Sequence, residues 1–230
     1  MDFGKFIEGK YVVFVGASPI LKEKGLSKWI NSFGVVCRSN GSADLLDTTN
    51  FQRHYGSKID VLYCNRQFYR EMRPLPIQKY KQRGVKFMRL KGIRDKDKKI
   101  YSQYMEVDTL DKVIRKVSAV EPTANMGLYI YQDILDHNPK ELWITGVDFF
   151  STRKAVFQHD VYKEYYPGYL PPKIRIQGNR INIGKTEDSH NFIGNAKYIY
   201  DLYQKYDNFK MHDFTLEILE GIIKGEVKQR

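Results

Sequence analysis

The sequence lacks the features that mark secreted, membrane-spanning and disulfide-rich proteins. Its 230 residues include two cysteines, Cys37 and Cys64, and each lies in an apolar run that predicts a buried strand, so we expect two free thiols. No apolar run approaches the roughly 20 residues of a membrane-spanning helix. The first residues show no basic segment followed by an apolar core. We therefore expect a cytoplasmic protein with no secretory signal and no transmembrane segment.

Acidic residues are scarce relative to basic ones. The chain has 38 Lys and Arg against 27 Asp and Glu, a formal net charge of +11. A basic surface attracts phosphate groups, so a nucleotide, a nucleic acid or an anionic membrane is a candidate partner. The excess is strongest between Lys79 and Lys99, where ten Lys and Arg stand against Asp95 and Asp97. A solvated face that serves only solubility is the alternative explanation for this run.

Apolar runs of strand length alternate with amphipathic stretches along the chain. Alternation of this kind is typical of a Rossmann-like α/β fold, a mostly parallel sheet with helices on both faces. The chain shows no internal repeat and no low-complexity linker, so we predict one domain over residues 1–230. Within it, residues 151–189 are rich in Tyr, Pro and basic residues and are predicted to form a structureless lid or acceptor-binding segment. The predicted strands are 11–16, 33–38, 60–65, 85–90 and 142–146, and the predicted helices are 23–31, 77–83, 109–120, 125–135, 190–206 and 213–224.

Small and polar residues follow several of the predicted strands directly. Ligands of parallel α/β sheets bind beyond the carboxyl ends of the strands, and glycine there lets the backbone approach a phosphate. The pattern is neither a G-x-G-x-x-G fingerprint nor a Walker loop. We predict a ligand site formed where these residues converge. They are Gly16, Ala17 and Ser18 after the first strand, Asn40 after the second, Asn65 after the third, and Asp148 after the strand 142–146.

Three segments carry motifs that belong together in one enzyme family. The first begins V-F-V-G-A-S at Val13 and ends V-C-R-S-N at Asn40. The second begins with Pro122-Thr123 and ends G-V-D-F at Phe149. The third reads D-S-H-N-F over 188–192. In order and spacing they resemble the long, short and catalytic-histidine motifs of the sialyltransferases, and the resemblance spans most of residues 10–219.

The resemblance implies a glycosyltransferase that moves a sugar, with inversion, from a CMP-linked donor to a hydroxyl group. The sequence departs from the family pattern at Ala17, where the family has Asn, and by two additional residues before Gly127. The resemblance assigns donor contacts to Ser18 and Asn40, the loop that holds the carboxylate of the donor sugar to Thr123 and Gly127, and the role of general base to His190. Asn125, one of the two additional residues, is also predicted to contact the donor.

The implied reaction needs a base for the acceptor hydroxyl and positive charge or hydrogen-bond donors for the leaving phosphate. Histidine titrates at roughly pH 6.5 and can take that proton, which fits His190. His212, with Glu217 five residues later, is the alternative base. No D-x-D motif follows a strand in the expected place and no Cys/His cluster supports zinc, so we expect no metal and no tightly bound cofactor. The leaving-group or acceptor contacts are assigned to four side chains of the segment 151–189: Arg153, Tyr162, Tyr166 and His159.

Three functions remain open from the sequence. The first is a transferase that uses a nucleotide-sugar to modify a glycan or a small acceptor. The second is a transferase that modifies a hydroxymethylated pyrimidine base in DNA. The basic run 79–99, together with Lys173, Arg175, Arg180 and Lys185, would provide its binding face beside the donor cleft. The third is a binding module for nucleic acid on the same fold, without catalysis.

Overall fold

The centre of the protein is a sheet of seven strands, each parallel to its neighbours. The computed structural model describes residues 1–16, 18–22, 24–40, 46, 49–65, 77–147, 149, 176–177, 180–181 and 191–226. The strands are β1 (Tyr11–Val15), β2 (Val35–Ser39), β3 (Val61–Asn65), β4 (Phe87–Lys91), β5 (Glu106–Thr109), β6 (Glu141–Thr145), β7 (Ile176–Gln177), β8 (Arg180–Ile181) and β9 (Phe209–Met211). Across the sheet they lie in the order β5-β4-β3-β2-β1-β6-β9, while β7 and β8 pair with each other.

Helices cover both faces of the sheet, and each face has its own apolar core. The predicted α/β fold is therefore confirmed, and Cys37 and Cys64 are buried free thiols as expected. The first face carries α1 (Phe3–Ile7), α6 (Asp111–Ser118), α7 (Met126–Leu135), α8 (Phe192–Lys205) and most of α9 (Asp213–Ile223). The second face carries α2 (Ser27–Ser32), α3 (Thr49–Tyr55), α4 (Ile77–Gln82) and α5 (Asp95–Tyr101).

Several boundaries differ from those predicted, each for a local reason. The first predicted helix, 23–31, begins only at Ser27, because Gly25 has a φ of +66° and a helix cannot pass through that conformation. Phe33 closes the same helix, so β2 begins two residues later than predicted. Residues 106–109 form a strand, β5, that the sequence did not predict, and α6 consequently begins at Asp111 rather than at residue 109.

The segment 151–189 was predicted to be structureless, and within its described residues that is wrong. Ile176 pairs with Ile181 and Gln177 with Arg180 in an antiparallel hairpin. The sequence between the two strands is Gly-Asn, a dipeptide typical of a two-residue hairpin turn. This turn signal was in the sequence and was missed. The role of the segment as a lid stays a prediction.

The chain reverses its direction of travel across the sheet at β1. From β1 it proceeds through β2 to β5 on one side, and then returns to place β6 and β9 on the other side. Parallel sheets bind ligands at such a switch point, in the crevice outside the carboxyl ends of the strands. Both α7 and α8 begin at this edge, because each ends near the amino edge. After α7, Asn138 accepts a hydrogen bond from Gly9, and after α8, Asn208 accepts one from Leu142.

Candidate functional site

Two glycines bring the backbones of β1 and β6 together at the switch point. Gly16 N donates to Thr145 O and Ser18 N donates to Gly146 O, each at 2.9 Å. A Cβ atom on Gly16 would lie 2.2 Å from Gly146 O, and Gly146 itself has a φ of +66°. Neither position accommodates a side chain without displacement of backbone, which explains why the sequence has glycine at both.

Ser18 supports the loop that follows β1. Its side chain is 3% exposed, and its Oγ accepts a hydrogen bond from Ile20 N at 3.3 Å. Its carbonyl oxygen accepts one from the Tyr55 hydroxyl at 3.0 Å, which ties the loop to α3. The serine therefore shapes the turn at Pro19–Leu21, and a contact between its hydroxyl and a donor stays a prediction.

Asn40 and Asn65, predicted to lie at neighbouring strand ends, are in direct contact. Asn65 N donates to Asn40 Oδ1 at 3.2 Å. Asn40 adopts a φ of +47°, an uncommon conformation that costs energy and is enriched at functional sites. Because Oδ1 accepts the hydrogen bond from Asn65, the amide orientation is fixed and Nδ2 is left as a donor. An amide donor at this edge suits an anionic or carbonyl oxygen of a ligand.

Arg38, which precedes Asn40 by two residues, does not belong to this edge. Its guanidinium is fully buried and donates to the carbonyl oxygens of Tyr55, Gly56 and Lys58. Burial lowers the pKa of this guanidinium to about 9. These carbonyls belong to the end of α3 and the loop after it, so the side chain has a structural role.

The short-motif residues lie at the start of α7. Asn125 is the N-cap, and its Oδ1 accepts a hydrogen bond from Leu128 N at 3.3 Å. Gly127 follows in the first turn, where a Cβ atom would lie 3.0 Å from Asn125 Oδ1 and 3.2 Å from the Tyr131 hydroxyl. A glycine here leaves the first-turn backbone uncovered, which is the arrangement that an anion can approach.

The starts of α7 and α8 are bound to each other through the backbone amides of their N-cap residues. Asn125 N donates to Asn195 Oδ1 at 2.8 Å, and Asn191 N donates to Thr123 Oγ1 at 3.0 Å. Asn191 is the N-cap of α8, with its Oδ1 accepting from Gly194 N. Two positive helix ends are therefore held side by side at the carboxyl edge.

Lys91 adds positive charge at the same edge. It is the last residue of β4 and pairs in register with Asn65. Its Nζ lies 4.4 Å from the centre of the Tyr129 ring, which belongs to α7. The edge therefore combines an ammonium group, the start of α7 and the Asn40 amide, and it favours a ligand that carries phosphate or carboxylate groups.

His212, the alternative base, lies in aromatic surroundings. Ring centroids of Trp29, Trp143 and Phe214 lie 4.6, 5.4 and 5.1 Å from that of His212. Its Nε2 is buried and has no hydrogen-bond partner among the residues that the structure describes. Burial lowers the pKa of the imidazole, and the Asp213 carboxylate offsets part of that shift. The surroundings are those of a packed side chain.

The basic run 79–99 does not form one face beside the predicted cleft. Lys79 and Lys81 belong to α4, which ends just before β4 begins and so lies towards the amino edge, whereas Arg94 follows β4 at the carboxyl edge. Arg89 is 5% exposed and forms a bidentate pair with Asp133. The expectation that this run provides a nucleic-acid face beside the donor cleft is not supported.

Seven predicted site residues lie outside the described residues. Within the part of the chain that the structure describes, no group of three His, Cys, Asp or Glu side chains is arranged to hold a metal ion, and no helix has the length and hydropathy to cross a membrane. The seven are Ala17, Asp148, Arg153, His159, Tyr162, Tyr166 and His190.

Two residues near the starts of α7 and α8 were not predicted as site residues. They are Glu121, which precedes α7, and Asn195, in the first turn of α8. Both are buried polar side chains whose hydrogen bonds join segments 70 residues apart. The sequence did contain a capping signal, Asn191 three residues before Gly194. Nothing in the sequence indicated that the carboxylate of Glu121 contacts this cap.

Comparison with known proteins gives the fold a precedent. No protein-family model and no characterised protein matches the sequence. A mammalian sialyltransferase superposes with a TM-score of 0.50 at 13% identity, over 89% of this chain and 69% of that one. The sialyltransferase CstII from Campylobacter jejuni, in complex with the substrate analogue cytidine-5'-monophosphate, gives a TM-score of 0.45 at 17% identity, over 68% and 76% of the two chains. The chain shares its fold with a mammalian sialyltransferase.

Proposed function

We propose that the protein is a glycosyltransferase that moves a sugar from a nucleotide donor, CMP-linked in preference, to an acceptor hydroxyl. The observation that carries the proposal is the convergence at the switch point of the Gly16–Gly146 contact, the Asn40–Asn65 pair and the starts of α7 and α8. The preference for CMP rests on the resemblance of the sequence motifs to those of the sialyltransferases.

The donor is proposed to bind across this edge. Its nucleotide would lie against the loop after Gly16 and against Asn40, whose Nδ2 is oriented as a hydrogen-bond donor. A carboxylate on the donor sugar would face the first turn of α7 at Gly127, where backbone amides and the helix dipole favour negative charge. Lys91 brings an ammonium group towards this helix through its contact with Tyr129.

The proposed reaction is a direct displacement with inversion. The acceptor oxygen forms a bond to the anomeric carbon while the bond from that carbon to the phosphate oxygen breaks, and the nucleotide leaves with the electron pair. His190 takes the acceptor proton, for which a neutral imidazole is suited near pH 7. Arg153, Tyr162, Tyr166 and His159 are proposed to donate to the leaving phosphate or to contact the acceptor, without a metal ion.

Binding of nucleotides tests the donor site. Saturating CMP is expected to raise the melting temperature more than UDP or GDP, since a ligand at 100 times its Kd stabilises the folded state by about 2.7 kcal/mol. Asn40→Ala is expected to abolish the shift. Asn138→Ala is the matched control, because Asn138 has the same φ of +47° but lies in the turn after α7, near the amino edge. A shift that survives in Asn40→Ala and disappears in Asn138→Ala would place the nucleotide elsewhere.

Activity tests the reaction class and the absence of a metal. Release of CMP from a CMP-linked sugar, with and without an acceptor, is expected to continue in the presence of EDTA. Turnover that stops with the chelator and returns with Mn²⁺ or Mg²⁺ would overturn the metal-independent mechanism. A glycan or small acceptor is proposed over DNA, because the described basic residues of the run 79–99 are divided between two edges of the sheet.

A further inference from the structure

Glu121 places a buried carboxylate between the starts of α7 and α8. The residue follows α6 and is 7% exposed. Its Oε1 accepts hydrogen bonds from Thr123 N at 3.1 Å and from Thr123 Oγ1 at 2.5 Å. Its Oε2 accepts a longer one from Asn191 Nδ2 at 3.4 Å. One carboxylate thus contacts both the short-motif loop and the cap of α8.

Gly194 allows the first turn of α8 to lie directly against this carboxylate. A Cβ atom on Gly194 would lie 2.0 Å from Glu121 Oε2 and 2.3 Å from Asn191 Nδ2. Any residue other than glycine would displace the Glu121 carboxylate and the Asn191 amide from these positions. Negative charge at a helix start is favourable, because the first-turn amides carry partial positive charge. The close approach that Gly194 allows and the attraction between the carboxylate and the helix start therefore both favour contact between α8 and Glu121.

Asn191 is fixed through each of its polar groups. Its Oδ1 accepts from Gly194 N, its Nδ2 donates to Glu121, and its backbone N donates to Thr123 Oγ1. Its carbonyl oxygen accepts from Asn195 Nδ2 at 2.6 Å. Because Oδ1 is committed to the cap, the amide cannot rotate to present its oxygen to Glu121. The residue therefore has one orientation relative to the short-motif loop.

We propose that Glu121 is a positioning residue for catalysis. It holds the first turn of α8 in register with the loop from Thr123 to Gly127, and so sets the place of the residue that precedes Asn191 in the chain, the proposed base His190. The proposal rests on the proposed function. Glu121 acts through Thr123 and Asn191 and does not touch the reacting atoms, since its oxygens are occupied by those contacts.

The hydrogen-bond directions supply a test that size and packing cannot imitate. In Glu121→Gln the carboxamide oxygen can still accept from Thr123, but its NH₂ group then faces the NH₂ group of Asn191, two donors in opposition. In Asn191→Asp two carboxylates face each other. In the double variant E121Q/N191D the amide donates to the new carboxylate, the cap on Gly194 N is kept, and the net charge equals that of the wild type.

The experiment compares these three variants with Asp136→Asn, a matched control. Asp136 lies at the other end of α7 and accepts from Lys116 and Gln132. Turnover of a CMP-linked sugar is expected to fall about 10- to 100-fold in each single variant, because a displaced catalytic group can cost about 10²-fold. The Kd for CMP is expected to stay within about two-fold of the wild-type value, because Glu121 is proposed to position the base and not to contact the nucleotide. The double variant is expected to recover to within about three-fold of wild-type turnover, and Asp136→Asn to match the wild type.

Hydrogen exchange of the Asn191 and Gly194 amides gives a readout that does not need activity. Both donate hydrogen bonds in the folded protein, so exchange is expected to be faster in each single variant and restored in the double variant. Full turnover in Glu121→Gln, or a loss that the double variant does not recover, would overturn the positioning role. A wild-type protein that turns over no nucleotide-sugar would instead overturn the proposed function, and the exchange results would then describe only a structural contact.

Discussion

The starts of α8 and α9 differ in structure, although in the sequence a histidine lies just before each helix. His190 precedes α8 by two residues, and His212 immediately precedes α9. The start of α8 is polar, with an asparagine cap and a buried carboxylate beneath its first turn. The start of α9 is aromatic, and His212 occupies the N-cap position without a side-chain hydrogen bond to the helix.

The surroundings of His212 bear on whether it can act as the general base. A general base needs a nitrogen that can reach an acceptor and surroundings that tolerate an imidazolium. The Nε2 atom of His212 is buried among rings and has no partner within the described part of the chain, so charge on this ring would be costly. Aromatic packing at the start of α9 thus accounts for His212, whereas Glu217 is exposed. His190 stays the proposed general base.

Alanine variants of the two histidines should differ most in turnover. His190→Ala is expected to lose roughly 10²–10⁴-fold in kcat, the usual contribution of a placed general base, with donor affinity little changed. His212→Ala should keep turnover within a few-fold and melt at a lower temperature, because a ring is removed from an aromatic cluster. Turnover, donor affinity and melting temperature are measured side by side. An inactive but folded His212→Ala beside an active His190→Ala would reverse the assignment.

The two helix starts should also differ in what stabilises them. Asn191→Ala removes a capping hydrogen bond and a contact with Glu121, and is expected to lower the free energy of unfolding by about 1–2 kcal/mol. His212→Phe keeps a ring of similar shape and removes a buried nitrogen without a partner, so its stability should lie within about 1 kcal/mol of the wild type. Urea denaturation measures both. Strong destabilisation by His212→Phe would mean that an imidazole nitrogen makes a bond that packing does not explain.

The smallest effect concerns pH. Burial lowers the pKa of His212 in the folded protein, so below its unfolded value of roughly 6.5 the unfolded chain binds more protons than the folded one. Stability from this residue is therefore present at neutral pH and lost as the pH falls through that region. The melting temperature of the wild type should fall more between pH 7.5 and 5.5 than that of His212→Phe. Equal falls in the two proteins would show that His212 does not contribute.

The sequence predicted the sheet well where strands are buried on both faces. β1 and β3 are nearly continuous apolar runs, and their type could be recognised without knowledge of their neighbours. The strand β5 was missed because it lies at the edge of the sheet and carries alternating polar residues, Glu106 and Asp108 among them. An edge strand of four residues with this pattern is not distinguishable from a loop by periodicity.

The site was predictable only as far as strand order determines it. Asn40 and Asn65 were expected to meet because residues after neighbouring parallel strands share one edge, and they do meet. The contact of Glu121 with Asn191 joins residues 70 positions apart and depends on how α7 and α8 pack. Sequence spacing carries no information about that geometry, so the network could be found only in three dimensions.

Hydrogen exchange with and without CMP is the measurement that tests the central claim most directly. The claim is that the donor nucleotide binds at the carboxyl ends of β1 and β2 and at the start of α7. Saturating CMP is predicted to slow exchange in peptides that contain Gly16, Asn40 and Gly127, and to leave the peptide 209–216 around His212 unchanged. Slowed exchange at 209–216 with no change at the other three would contradict the account.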